Sequence, residues 1–147
     1  MDKKLQEMLN VYCANFGLGY IKVCNLHWNV KGKGFITAHK YLESEYENWA
    51  EYLDEVAEHL RINGVCPPAT LKAYLELATL KEKVSEEVEC IDAYQIWYKD
   101  METQCALAKE IRAYADEIGA VDTANMLDDQ IADFNKALWM LKMQISD

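Results

Sequence analysis

Six glycines and two prolines are too few to punctuate a 147-residue chain into short strands and turns. Leu, Ala, Glu, Lys and Met recur instead, and that composition favours long helices over sheets. No apolar run approaches the roughly 20 residues needed to span a bilayer. No charged-then-apolar leader precedes a cleavage site, so a soluble, unprocessed chain is expected. Basic residues are also in short supply: 15 Lys and Arg against 25 Asp and Glu give a formal net charge of −10. Such a chain is poorly suited to lying along phosphate backbones and better suited to attracting cations. The five cysteines (Cys13, Cys24, Cys66, Cys90, Cys105) are scattered, odd in number and never in a CxxC pair. That spacing excludes a disulfide framework and points to reduced thiols in a cytoplasmic compartment, most of them small buried hydrophobes.

Four long helical stretches fill most of the sequence, which has the length of one domain, residues 1–147. The first spans about Asp2 to Val30, with Leu5, Met8, Leu9, Tyr12, Phe16, Tyr20, Val23 and Leu26 or His27 on one face. Gly17 and Gly19 inside it suggest close packing. Lys31-Gly32-Lys33-Gly34 breaks the pattern. The second stretch runs from Phe35 or Ile36 to Asn63, where Gly64 is a natural stop. After Cys66-Pro67-Pro68, Thr70 can cap a short helix through about Leu77. A third long helix begins between Ser85 and Asp92 and ends before Gly119. Asp122 is the expected cap of the fourth, whose Met and aromatic positions are assigned to the core. These elements match an all-α, ferritin-like four-helix bundle with a short extra helix in the long crossover between helices two and three, although an ordinary structural bundle has the same pattern and only the chemistry separates the two.

Histidine is scarce: His27, His39 and His59 are all there is. His39 and Glu43 stand one helical turn apart, as do Asp54 and Glu58, so each pair lies on one face of the second helix. At 1.5 Å per residue His39 and Glu58 are separated by about 28 Å along the axis, too far to share a cation. Two copies of the helix crossing antiparallel near Asn48 and Trp49 remove that obstacle. His39 then faces Glu58 of the twin, and Glu43 its Asp54, twice per dimer. His27 can add a second imidazole, and the resulting His/His/carboxylate set suits iron or zinc.

The run His27-Trp28-Asn29-Val30-Lys31-Gly32, then Phe35, Thr37 and His39, then Asp54-Glu55-Val56-Ala57-Glu58, closely resembles the Dps mini-ferritins. Gly64, the Pro68, Thr70, Leu71 run and Trp139-Met140-Leu141 extend the resemblance over most of the chain. It implies a ferroxidase that oxidises Fe(II) to Fe(III) at inter-subunit sites and stores the ferric mineral in a hollow shell. His27, His39 and Glu43 would come from one subunit, Asp54 and Glu58 from its two-fold mate, holding one or two irons. Trp28 would stand beside the site, its default role being packing.

The resemblance further implies hydrogen peroxide as oxidant, a dodecamer built from two-fold dimers, and acidic pores at its three-fold axes. Asp122, Asp128 and Asp129 are candidates for the pore, and equally for complementing the helix dipole. Direct DNA binding is expected to be weak or absent, since only Met1-Asp2-Lys3-Lys4 precedes the helical pattern. Two positions depart from the family pattern: Glu43 stands for its usual Asp, and His59 for an Arg. Because His59 faces about 100° away from Glu58, a surface or core role is expected for it. A di-iron site inside one bundle would need Glu-x-x-His motifs on two helices, and no histidine follows His59. A non-enzymatic helical interaction protein is the alternative from a different class, and an iron-binding shell with weak ferroxidase activity because of Glu43 is the intermediate one.

Overall fold

The computed structural model describes residues 1–146. Helix α1 covers Lys3–Asn29, α2 Phe35–Ile62, the short α3 Leu71–Leu77, α4 Cys90–Glu117 and α5 Val121–Ile145. Short connections fold α1 onto α2 and α4 onto α5 as two helical hairpins, which pack into one bundle. The crossover carrying α3 joins them and lays α3 against α1. The long helices thus begin and end within a residue or two of the breaks read from sequence.

The helix ends follow from local chemistry. Asp2 caps α1 by accepting the Leu5 N–H at 3.0 Å, and the same carboxylate oxygen accepts the Tyr114 hydroxyl of α4 at 2.9 Å. Thr70 caps α3 through Ala73 N–H at 3.1 Å. Gly64 and Gly119 close α2 and α4 at φ of 80° and 76°, the left-handed conformation that suits glycine. Beyond each, Val65 and Ala120 bond back to Leu60 and Ala115 at 2.9 and 2.8 Å, completing Schellman closures.

The fourth long helix departs from expectation at its start. It begins at Val121, with Ala120 in the cap position and no side-chain cap bond, so Asp122 lies inside the first turn. The Gly119 closure of α4 leads so directly into α5 that no residue is left to act as a separate cap. A second difference is a two-residue parallel pairing of Val30–Lys31 (β1) with Val88–Glu89 (β2), which ties the α1–α2 connection to the entrance of α4.

The core is aromatic at its centre. Trp49, Trp97, Tyr12, Phe16 and Phe134 are fully buried, with Phe16 edge-on to Trp49 and the two tryptophan rings 4.5 Å apart. Gly17 and Gly19 let α1 approach its neighbours: a β-carbon at Gly17 would fall 2.5 Å from Tyr74 of α3, and one at Gly19 would meet the Trp49 ring. The Met and aromatic positions of α5 are not uniformly core. Met126 and Phe134 are buried, but Trp139, Met140 and Met143 are exposed on this chain, because they lie off the stripe that faces α4. Cys13, Cys24, Cys90 and Cys105 are buried free thiols, and Cys66 is an exposed one.

Candidate metal centre

His27 lies in the last turn of α1 and His39 in the second turn of α2, on either side of the β1 turn. The hairpin brings the two rings into a stack, with centroids 3.8 Å apart and planes within 14°. Each ring is fixed by the other's backbone. His27 Nδ1 lies 2.7 Å from the His39 carbonyl oxygen, and His39 Nδ1 lies 2.8 Å from the His27 carbonyl oxygen. A carbonyl only accepts, so both Nδ1 atoms carry hydrogen and donate. In the neutral tautomer each Nε2 then presents a lone pair, and neither Nε2 has a hydrogen-bond partner among the described residues. Backbone carbonyls orient metal-binding imidazoles in this manner.

Aromatic rings complete the mounting. Phe35 stacks on the outer side of His39, with centroids 5.1 Å apart, and Tyr46 sets its edge against His27 at 5.3 Å. The Tyr46 hydroxyl faces Glu43 Oε1 at 3.5 Å. His27 is buried and His39 half-buried, while Glu43 is exposed one turn beyond His39.

Asp54 and Glu58 are exposed on α2, the nearer of them about 22 Å from His39 along the helix axis. Among the described residues no three metal-capable side chains converge within one chain. The fold therefore brings His27 and His39 together, with Glu43 one turn on, and leaves Asp54 and Glu58 apart from them. Trp28 does not pack within the chain; 68% of it is exposed. His59 points into the bundle, where its Nε2 meets Thr123 Oγ1 at 2.8 Å. Of the acidic residues on α5, Asp128 is engaged by Arg112 at 2.8 and 3.4 Å, whereas Asp122 and Asp129 are exposed.

Residues 6–147 match the ferritin-like domain family. The DNA protection during starvation protein of Helicobacter pylori is 32% identical over 143 residues, covering 97% of this chain and 99% of its own. The chain belongs to the Dps family of ferritin-like proteins. General stress protein 20U of Bacillus subtilis is 36% identical over 142 residues and 97% of both chains. The crystal structure of a Dps protein from Vibrio cholerae O1, described as a member of a broad superfamily of ferritin-like diiron-carboxylate proteins, superposes with a TM-score of 0.94. It is 26% identical, covering 98% of this chain and 90% of that one.

Within this Dps chain the sequence reading missed three features. Tyr46 carried no motif of its own. The mutual locking of His27 and His39 depends on backbone carbonyls, which no residue identity signals. Glu45 is buried and accepts the Trp97 indole N–H at 3.0 Å, and burial pushes its carboxyl above the usual range. Its place at i+2 from Glu43, on the opposite flank of α2, was the available signal.

Proposed function

We propose that this protein binds and oxidises ferrous iron at sites shared between two-fold-related copies and stores the ferric product inside a closed shell. Each site takes His27, His39 and Glu43 from one copy and Asp54 and Glu58 from the other. The observation that carries this reading is the reciprocal His27–His39 lock, which leaves two Nε2 lone pairs free, with Glu43 one helical turn beyond His39. The diiron-carboxylate description of the Vibrio relative supports iron as the substrate. The need for a second chain follows from the length of α2 between His39 and Glu58.

Imidazole and carboxylate ligands suit iron, and carboxylates stabilise the ferric state more than the ferrous, so binding itself favours oxidation. The carbonyl bonds keep both imidazoles from turning away as the metal charge changes. Hydrogen peroxide is the proposed oxidant, and the occupancy one or two irons per site. Exposed Ile21, Trp28, Ile36, Ile62, Leu71 and Leu75 give the chain apolar surface to bury against further copies. A dodecamer is the proposed assembly, with Asp122 and Asp129 as candidate pore residues; Asp128, paired with Arg112, is the weaker one. A chain of net charge −10 is proposed to bind DNA weakly or not at all at physiological salt.

Sizing the particle while adding Fe(II) and peroxide tests this reading. A shell of about a dozen subunits that accumulates ferric mineral supports it. A monomer, or a shell indifferent to iron, contradicts it.

A further inference from the structure

Phe35 opens α2 at a place where the backbone is closely fixed. Gly34 before it takes φ of 84°, and the Phe35 N–H donates to the Gly32 carbonyl oxygen at 3.1 Å. His39 stands four residues on, so the two side chains share one face of the helix. Their rings lie nearly parallel, with planes 21° apart and centroids 5.1 Å apart. The other face of His39 is taken by His27, at 3.8 Å, whose carbonyl oxygen also holds the His39 Nδ1. His39 is thus enclosed between two flat rings, and the edge bearing Nε2 is the one left to take a metal. Core burial does not account for Phe35. Its side chain is 39% exposed and lies outside the hydrophobic core, and His39 is its one aromatic neighbour among the described residues.

We infer that Phe35 is a positioning residue of the centre: its π face stabilises the His39 imidazole in the metal-bound form and keeps Nε2 aimed at the metal. The inference rests on the reading that His39 is a metal ligand. The face of a phenyl ring carries negative partial charge and attracts a cation within about 6 Å of its centroid. A metal ion at Nε2 draws electron density from the imidazole and leaves that ring positive. The attraction to Phe35 therefore belongs to the loaded state, and it is larger for ferric than for ferrous iron. His27 cannot supply it, because two stacked imidazoles that both carry a metal's charge repel each other. Of the two rings against His39, Phe35 is the one that stays neutral. The same enclosure opposes rotation of His39 about its Cβ–Cγ bond, since turning would drive the ring's edge into a neighbour on either side.

The test is titration of the assembled protein with Co(II), which accepts imidazole and carboxylate ligands, in the absence of peroxide. The visible ligand-field band that is lost in His39→Ala is the one followed. Incorporating 3,4,5-trifluorophenylalanine at position 35 nearly keeps the shape of the ring and removes the negative charge from its face. The expected result is a rise of about fivefold in the Co(II) concentration for half-saturation of the fluorinated protein, and of about tenfold in Phe35→Leu. Phe35→Tyr, which restores an aromatic face, should stay within about twofold of wild type. Half-saturation unchanged in both the fluorinated protein and Phe35→Leu overturns the inference while the metal site stands. A loss in Phe35→Leu with none on fluorination makes Phe35 a packing residue and overturns it equally. Should Phe35→Leu fail to assemble, the fluorinated protein alone decides. If no Co(II) band depends on His39, the metal reading fails, and this inference with it.

Discussion

His59 follows directly on the site candidate Glu58, yet it turns into the bundle and joins α2 to α5 through a 2.8 Å bond to Thr123. One position along a helix rotates a side chain by about 100°, enough to separate a ligand from a core residue. His59→Ala leaves the buried Thr123 hydroxyl without its partner, at a cost of about 1–3 kcal/mol. Thermal unfolding should register that loss, while iron oxidation per folded subunit stays at the wild-type level. A selective loss of oxidation in stable protein would make His59 a ligand.

At Gly19 the α1 backbone lies directly against the Trp49 ring of α2. Since a β-carbon there meets the Trp49 ring, Gly19→Ala forces the helices apart or the indole out of place. Overpacking of this kind costs about 1–3 kcal/mol, and helix propensity recovers less than that. The same displacement would disturb Tyr46, one turn away. Denaturant titration should therefore show a lower midpoint; equal or greater stability would mean that the seam can relax.

Lys22 and Asp100 form a buried ion pair between α1 and α4, at 2.9 Å with side chains 9% and 11% exposed. Asp100→Ala strands the ammonium and should cost about 3–5 kcal/mol, whereas the double variant Lys22→Met with Asp100→Leu should restore most of it. Burial raises the Asp100 carboxyl above its ordinary 3.8, and Lys22 offsets this only in part. The native state then holds more protons than the unfolded one just above pH 3.8, so this group's contribution falls as pH rises through that window. Stability curves of wild type and double variant, compared from acid to neutral pH, check both points: the double variant should lack that slope.

Glu43 carries the charge expected to favour the oxidised metal. Glu43→Gln keeps the shape and removes the charge, and should raise the Fe(II) concentration needed for half-maximal rate by about tenfold or more. Glu43→Asp retains the charge on a shorter stem and should fall between the two. Stopped-flow oxidation gives the order, and a Gln variant equal to wild type would remove Glu43 from the site.

Much of this was legible in the sequence because long helices repeat their signal. Every turn of α1 and α2 restates the apolar face, and Thr70 and Gly64 mark their own ends. The four-residue spacing of His39 with Glu43, and of Asp54 with Glu58, is likewise a property of one helix. What escaped depended on two segments meeting. The Val30–Val88 pairing is two residues long, too short for any alternation to show. Asp122 looks like a cap by residue type, but the closure at Gly119 starts α5 before it. The His27–His39 stack, and Tyr46 beside it, appear only once the hairpin sets two backbones side by side. Trp28 was expected to pack beside the site and Trp139 to lie in the core, yet both are exposed on the single chain.

Complementation between two crippled chains tests the shared site most directly. One chain carries His27→Ala with His39→Ala, the other Asp54→Asn with Glu58→Gln, and each should be inactive alone. Unfolded together in equal amounts and refolded, they should regain about a quarter of wild-type Fe(II) oxidation, since half the dimers are mixed and each of those has one intact site. Mixed assemblies that form but remain as inactive as their parents would contradict a centre built across two chains.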